Sequence, residues 1–122
     1  MTPKTARTSA DPVPAVQACH DLLGWMIPQI EKFPRQRRFT LGERLESGGL
    51  ELLELLVEAS YTRSREALLT RANTRLSTLR HLWRLAYELK TLPQRPYHHG
   101  ADRLVELGRQ IGGWRKAAQG HA

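Results

Sequence analysis

Arginine is the residue type whose spacing in this chain points most directly to chemistry. Arg71 and Arg75 stand four apart, and so do Arg80 and Arg84, in a stretch with helical periodicity. Residues at i and i+4 share one side of a helix, so each pair sets two cations side by side and repels itself slightly. No acidic residue lies between the members of either pair. A guanidinium group is a planar fork of donors that matches phosphate or carboxylate and keeps its charge in any surroundings. The spacing therefore predicts a contact with a polyanion. A second group, Arg35, Arg37 and Arg38, is flanked by Phe33 and Phe39. Over the whole chain 19 Lys+Arg face 12 Asp+Glu, a formal charge of +7, and fifteen of the nineteen are arginine. An excess of this size attracts RNA, DNA or an acidic protein face. Glutamates of a neighbouring helix can neutralise individual arginines, but not the set, because +7 remains after every acid is counted.

Other chemistries find less support. Of His20, His81, His98, His99 and His121, only His98 and His99 are adjacent, and neighbours on a helix point about 100° apart. No HExxH or HxxxH spacing occurs. A single cysteine, Cys19, allows neither an intrachain disulfide nor a zinc site built on paired cysteines, and its place on an apolar stripe predicts a buried, inert thiol. Glu51 and Glu54 form an i,i+3 carboxylate pair without the ExxH partner of a di-iron site. The expectation is a protein without catalysis, metal, cofactor or small-molecule substrate.

These residues need a scaffold, and 122 residues suffice for one domain. Residues 1–12 carry Lys4 and Arg7 without periodicity, which predicts a disordered basic arm. A first helix is expected to begin near Pro12 to Ala15, with Asp11 as a candidate N-cap. Its stripe is Val16, Cys19, Leu22, Leu23, Met26, Ile27 and Ile30. Pro28 should bend this helix rather than end it, since Ile30 continues the stripe. Phe33-Pro34 stops it. Pro34 to Phe39 reads as a connection, and Thr40 with Glu43 as a capping box opening a second helix to about Tyr61. A third helix is expected from about Ser64 to Leu92, on a near-heptad seam that includes Leu69, Ala72, Leu76, Leu79, Trp83 and Ala86. After a linker from Pro93 to Pro96, a fourth should run from about Tyr97 to Ala117, with Leu104, Val105, Leu107, Ile111 and Trp114 on its apolar side.

Charge is segregated by helix. Glu43, Glu46, Glu51, Glu54 and Glu58 face a lone Arg44 on the second, while the third is rich in arginine. Gly48, Gly49, Gly108, Gly112 and Gly113 suggest close helix contacts, and Trp25 and Trp114 suit a subunit interface. The fold class is all-α, an antiparallel up-down four-helix bundle over residues 13–118, with 119–122 as a frayed tail. No apolar run approaches the roughly 20 residues of a membrane helix, and no apolar leader is present, so the expectation is a soluble, cytoplasmic protein.

Several blocks recur here in the order of a known family. They are Phe33-Pro34, Arg38 to Gly42, the run Leu50 to Glu54, Leu79-Arg80 with Leu85-Ala86, Gly108, and Gly112-Gly113-Trp114. The chain from about Leu22 to Ala117 resembles the accessory variability determinant (Avd) proteins of diversity-generating retroelements. That family is similar in turn to the four-helix proteins encoded in intervening sequences of bacterial large-subunit ribosomal RNA genes. The resemblance implies a ring-shaped homopentamer with a basic surface. It also implies binding to the retroelement's reverse transcriptase and template RNA, without catalysis. The family's arginine-rich helix maps onto Arg71, Arg75, Arg80 and Arg84. No family motif covers the N-terminal arm or His98-His99. The alternative is a self-associating structural bundle of the ribosomal intervening-sequence type, with no reverse-transcriptase partner.

Overall fold

The computed structural model describes residues 14–119. The expected basic arm, the Asp11 cap, His121 and most of the expected tail lie outside the described residues. Four helices make the body: α1 Pro14–Ile30, α2 Glu43–Ser60, α3 Glu66–Glu88 and α4 Gln94–Gln119. No strand occurs among the described residues.

The apolar residues of α1 recur at three and four, and Ala15, Cys19, Leu22, Leu23, Met26 and Ile30 are buried. The helix runs through Pro28, which lies on the exposed side. Two tight turns end it: the Lys32 amide donates to the Gln29 carbonyl at 3.1 Å, and Phe33 to Ile30 at 2.9 Å. Phe33 then tucks into the core.

The entry to α2 differs from the sequence expectation. The capping box does not form, and Pro34 to Phe39 is not a loop. Helical structure begins at Arg35–Arg37 and passes through a π-helical turn, Arg38–Gly42, directly into α2. Pro34, at φ −55° and ψ 147°, already supplies the extended residue that precedes a helix. Thr40 falls inside the helical path and its hydroxyl donates to the Gln36 carbonyl at 3.0 Å. The wider π turn lets the backbone at Gly42 settle against the end of α1. A Cβ there would stand 3.0 Å from Ile30 Cγ2.

The third helix also ends earlier than its apolar pattern suggested. Lys90 adopts φ 62°, the left-handed conformation. Its amide donates to the Tyr87 carbonyl and the Thr91 amide to the Ala86 carbonyl, both at 2.9 Å. That is the Schellman closure, here with lysine where glycine is usual. It turns the chain so that Leu92 is buried beyond the helix, while Leu89 stays exposed. α4 begins three residues before the expected Tyr97. Pro96 is accommodated because first-turn amides have no partner within the helix.

Each helix packs against its neighbours in sequence, and α1 closes the bundle against α4. This is the expected four-helix arrangement. The α3 seam of Leu69, Ala72, Leu76, Leu79, Trp83 and Ala86 is buried along its length. Trp83 is fully buried, and its indole Nε1 donates to the Tyr97 carbonyl at 2.9 Å. Gly100 makes room for that ring, since a Cβ there would lie 2.6 Å from Nε1. Gly49 does the same for Leu23, whose Cδ2 would be 2.5 Å away. Gly48, Gly49 and Gly108 thus serve contacts within one bundle, while Gly112 and Gly113 face open space.

Two substitutions test this account. Gly100→Ala should destabilise by about 1–3 kcal/mol, because the indole sits in a rigid core and cannot retreat. A lowered denaturant midpoint with unchanged m-value would show it. Lys90→Gly should stabilise by up to about 1 kcal/mol through relief of the left-handed backbone. A thermal midpoint that falls would contradict that account of the turn.

Candidate nucleic-acid interface

The α3 arginines divide between two faces of the bundle. Arg75 lies toward α2, in a cleft with Arg44, Glu51, Thr78 and Leu82. Arg71, one turn away, shares that side of the helix. Arg80 and Arg84 lie toward α4, in a groove of about 390 Å³ whose walls include His81, Tyr97, Ala101 and Val105. The buried seam runs between the pairs, so the structure brings the arginines together two by two rather than as four. The helical phase explains the split: going from Arg75 to Arg80 advances five residues, about 140° beyond a full turn.

Two of the four have acidic partners. Arg75 Nε is 3.1 Å from Glu51 Oε1 of α2, and Arg84 Nε is 3.1 Å from Glu88 Oε2, one turn along α3. All four side chains in these pairs are about half exposed or more, where ion pairs contribute little to stability. Arg71 and Arg80 have no ion pair among the described residues.

Arg35, Arg37 and Arg38 occupy the helical entry to α2. Arg35 is exposed and Arg37 half-buried. Arg38 donates to the Glu31 carbonyl at 3.4 Å, and its guanidinium sits 5.1 Å over the Phe39 ring. It borders a groove that also holds Glu31, Glu43 and Glu46. Three carboxylates there repel phosphate, against the single Glu88 beside Arg84, so Arg38 is less suited to a polyanion than the Arg80/Arg84 pair.

Several ring contacts escaped pattern reading; Tyr97 lines the Arg80/Arg84 groove, and its neighbour Tyr87 lines a separate pocket with Lys90 and Pro93. The rings of Tyr87 and Tyr97 stack at 4.3 Å and 8°. His98 stands beside them, 5.1 Å from Tyr97 and 6.3 Å from Tyr87. His99 turns the other way and meets Trp25 at 4.5 Å. The two histidines do diverge, as helical geometry requires. Trp25 also meets Trp83 edge-on at 5.9 Å, while Arg65 lies 5.7 Å over Trp114. Both tryptophans are half-buried and packed on the core. Val105, placed on an apolar stripe by its spacing, is 44% exposed in the groove. The packing of α4 on α3, with α1 adding Trp25, assembles this group, so no local sequence signal marks it.

Cys19 is buried in the core, and burial pushes its thiol up to about 12, which keeps it protonated at neutral pH. No group of three or more His, Cys, Asp or Glu converges as a metal-binding set among the described residues. No helix among them is long and apolar enough to cross a membrane.

Fold and surface together define a four-helix-bundle protein with two arginine-bearing faces. The bAvd-like family model matches residues 15–118, and the chain belongs to that family. This agrees with the motif blocks between Phe33 and Trp114. A search of curated proteins and a search of solved structures return no match.

The exposed Arg75–Glu51 pair sets a limit on what these arginines do for the fold. Arg75→Ala should change unfolding free energy by less than about 1 kcal/mol. A larger loss in denaturant titration would make that contact structural.

Proposed function

We propose that this chain is a non-catalytic accessory protein of a diversity-generating retroelement, acting in the cytoplasm. On this reading it binds the retroelement's reverse transcriptase and template RNA, and so supports mutagenic copying. The observation that carries the reading, within a bAvd-like chain, is the Arg80/Arg84 pair. Both arginines are exposed, and they flank an open groove that has aromatic residues in its wall. Phosphate is the ligand such forks suit best, and DNA satisfies the same chemistry as RNA.

The reading includes a homopentameric ring. Support comes from α2 and the residue that caps its end, where Leu50, Val57 and the C-cap Tyr61 are spaced seven and four apart and are all exposed, Tyr61 at 88%. Phe39 lines the same groove as Leu50 and is 56% exposed. An apolar stripe of this length suits a subunit contact. Self-association alone also satisfies that stripe, so the structural alternative of the ribosomal intervening-sequence type is separated by the partner, not by the oligomer.

The test is co-purification with the reverse transcriptase, with and without its RNA, for the parent chain and an Arg80→Glu/Arg84→Glu variant. The parent should retain both partners. Charge reversal should lower capture at least tenfold, because two attractive contacts become repulsive. Helicity by circular dichroism and mass by sedimentation should not change. Unfolding of the variant would make these arginines structural. Undiminished capture would move the partner surface to Arg71 and Arg75 or to Arg35, Arg37 and Arg38. A parent that binds no reverse transcriptase would favour the structural alternative.

A further inference from the structure

We infer that the α3/α4 face takes single-stranded nucleic acid, with bases stacking against the Tyr87, Tyr97 and His98 cluster and phosphates held by Arg80 and Arg84. The inference rests on the nucleic-acid reading of this face and adds what kind of strand it accepts.

Three observations carry it. The first is proximity: Tyr97 lines the same groove as Arg80 and Arg84, and Tyr87 and His98 adjoin that groove through their ring contacts with Tyr97. The second is the form of the cluster. Tyr87 and Tyr97 are stacked in parallel at 4.3 Å, both are half-buried, and exposed His98 stands at their edge. A parallel pair of rings with access to solvent is a platform that another flat ring can extend. The third is rigidity. Tyr97 is held by its carbonyl, which accepts the bond from the buried Trp83 indole. Tyr87 is held by the Schellman turn, in which its own carbonyl takes the Lys90 amide. A platform fixed in advance loses little freedom on binding.

Strandedness follows from geometry. In a duplex the faces of the bases are covered by their neighbours, and only edges and backbone are offered. A single strand exposes the faces, and aromatic side chains read them with little sequence preference. Arg80 and Arg84 are about 6 Å apart along the helix axis, which suits successive phosphates of one extended strand. Cations alone would hold a duplex equally well; the rings beside them give the preference.

Fluorescence anisotropy of the purified chain tests this. It would use an unstructured pyrimidine-rich RNA and a duplex RNA with the same number of phosphates, across a salt series. The single strand should bind at least tenfold more tightly. His98→Ala and Tyr87→Leu should each weaken single-strand binding, by about 5- to 100-fold where a base stack is lost. Duplex binding and the salt slope should stay unchanged. Arg80→Gln/Arg84→Gln should instead flatten the log–log salt slope by about 1.4, from about 0.7 per phosphate contact. His98 is exposed, so its variant keeps the test valid if Tyr87→Leu fails to fold. Equal affinity for both RNAs would overturn the proposal and leave the nucleic-acid reading standing. So would aromatic variants that change nothing, or that weaken both RNAs alike. Binding of neither RNA would overturn the proposal and the nucleic-acid reading together.

Discussion

The Trp83 indole is the contact on which the rest of the bundle depends. It is the largest fully buried side chain, and it sits where α3 meets α4. Its bulk requires Gly100 opposite, because any Cβ there would overlap the ring. Its one polar atom requires an acceptor, and the Tyr97 carbonyl in the first turn of α4 supplies it. A buried N–H without a partner would cost about 1–3 kcal/mol, so this bond sets the register of α4 on α3 as well as its distance. Trp25 then closes over the edge of the ring from α1 and carries His99 with it. One side chain thereby ties three helices together at one end of the molecule.

The candidate interface inherits its form from that junction. Because Tyr97 is pinned to Trp83, its ring lies flat against Tyr87, and His98 follows at the outer edge. Because the seam at Leu79 and Trp83 is buried, Arg80 and Arg84 sit one position past it, on the α4 side. Arg71 and Arg75 fall on the other side, where Glu51 reaches Arg75. The segregation of acids on α2 and bases on α3 thus resolves only in part into ion pairs. Each face meets one acid, Glu51 beside Arg75 and Glu88 beside Arg84, but only the α4 face adds a groove with aromatic residues in its wall. That contrast makes the second face the better site for a polyanion.

Much of the fold could be read from local pattern. The three-and-four spacing from Val16 to Ile30 and from Leu69 to Ala86 places those helices, because burying one stripe is the only way such a segment leaves water. Cys19 is buried where the stripe put it. Boundaries were less legible. Thr40 and Glu43 have the types of a capping box, yet Pro34 starts the helix six residues earlier and a π turn at Gly42 absorbs the misfit against Ile30 and Phe33. The pattern beyond Glu88 looked helical because Leu89 and Leu92 are apolar. One buried residue past a left-handed lysine has the same spacing as a continuing stripe.

By itself the sequence determined the helical class, the core stripes, the cationic excess and the family, since each depends on residue type and on spacing within one segment. Tertiary structure alone decided which arginines share a face, which glycines face a ring and which face open space, and that Tyr87 meets Tyr97. Those facts depend on how far each helix is rotated about its own axis against its neighbours. That rotation is set by the bulk of Trp83, Leu23 and the residues they press against, and no spacing along a single segment records it.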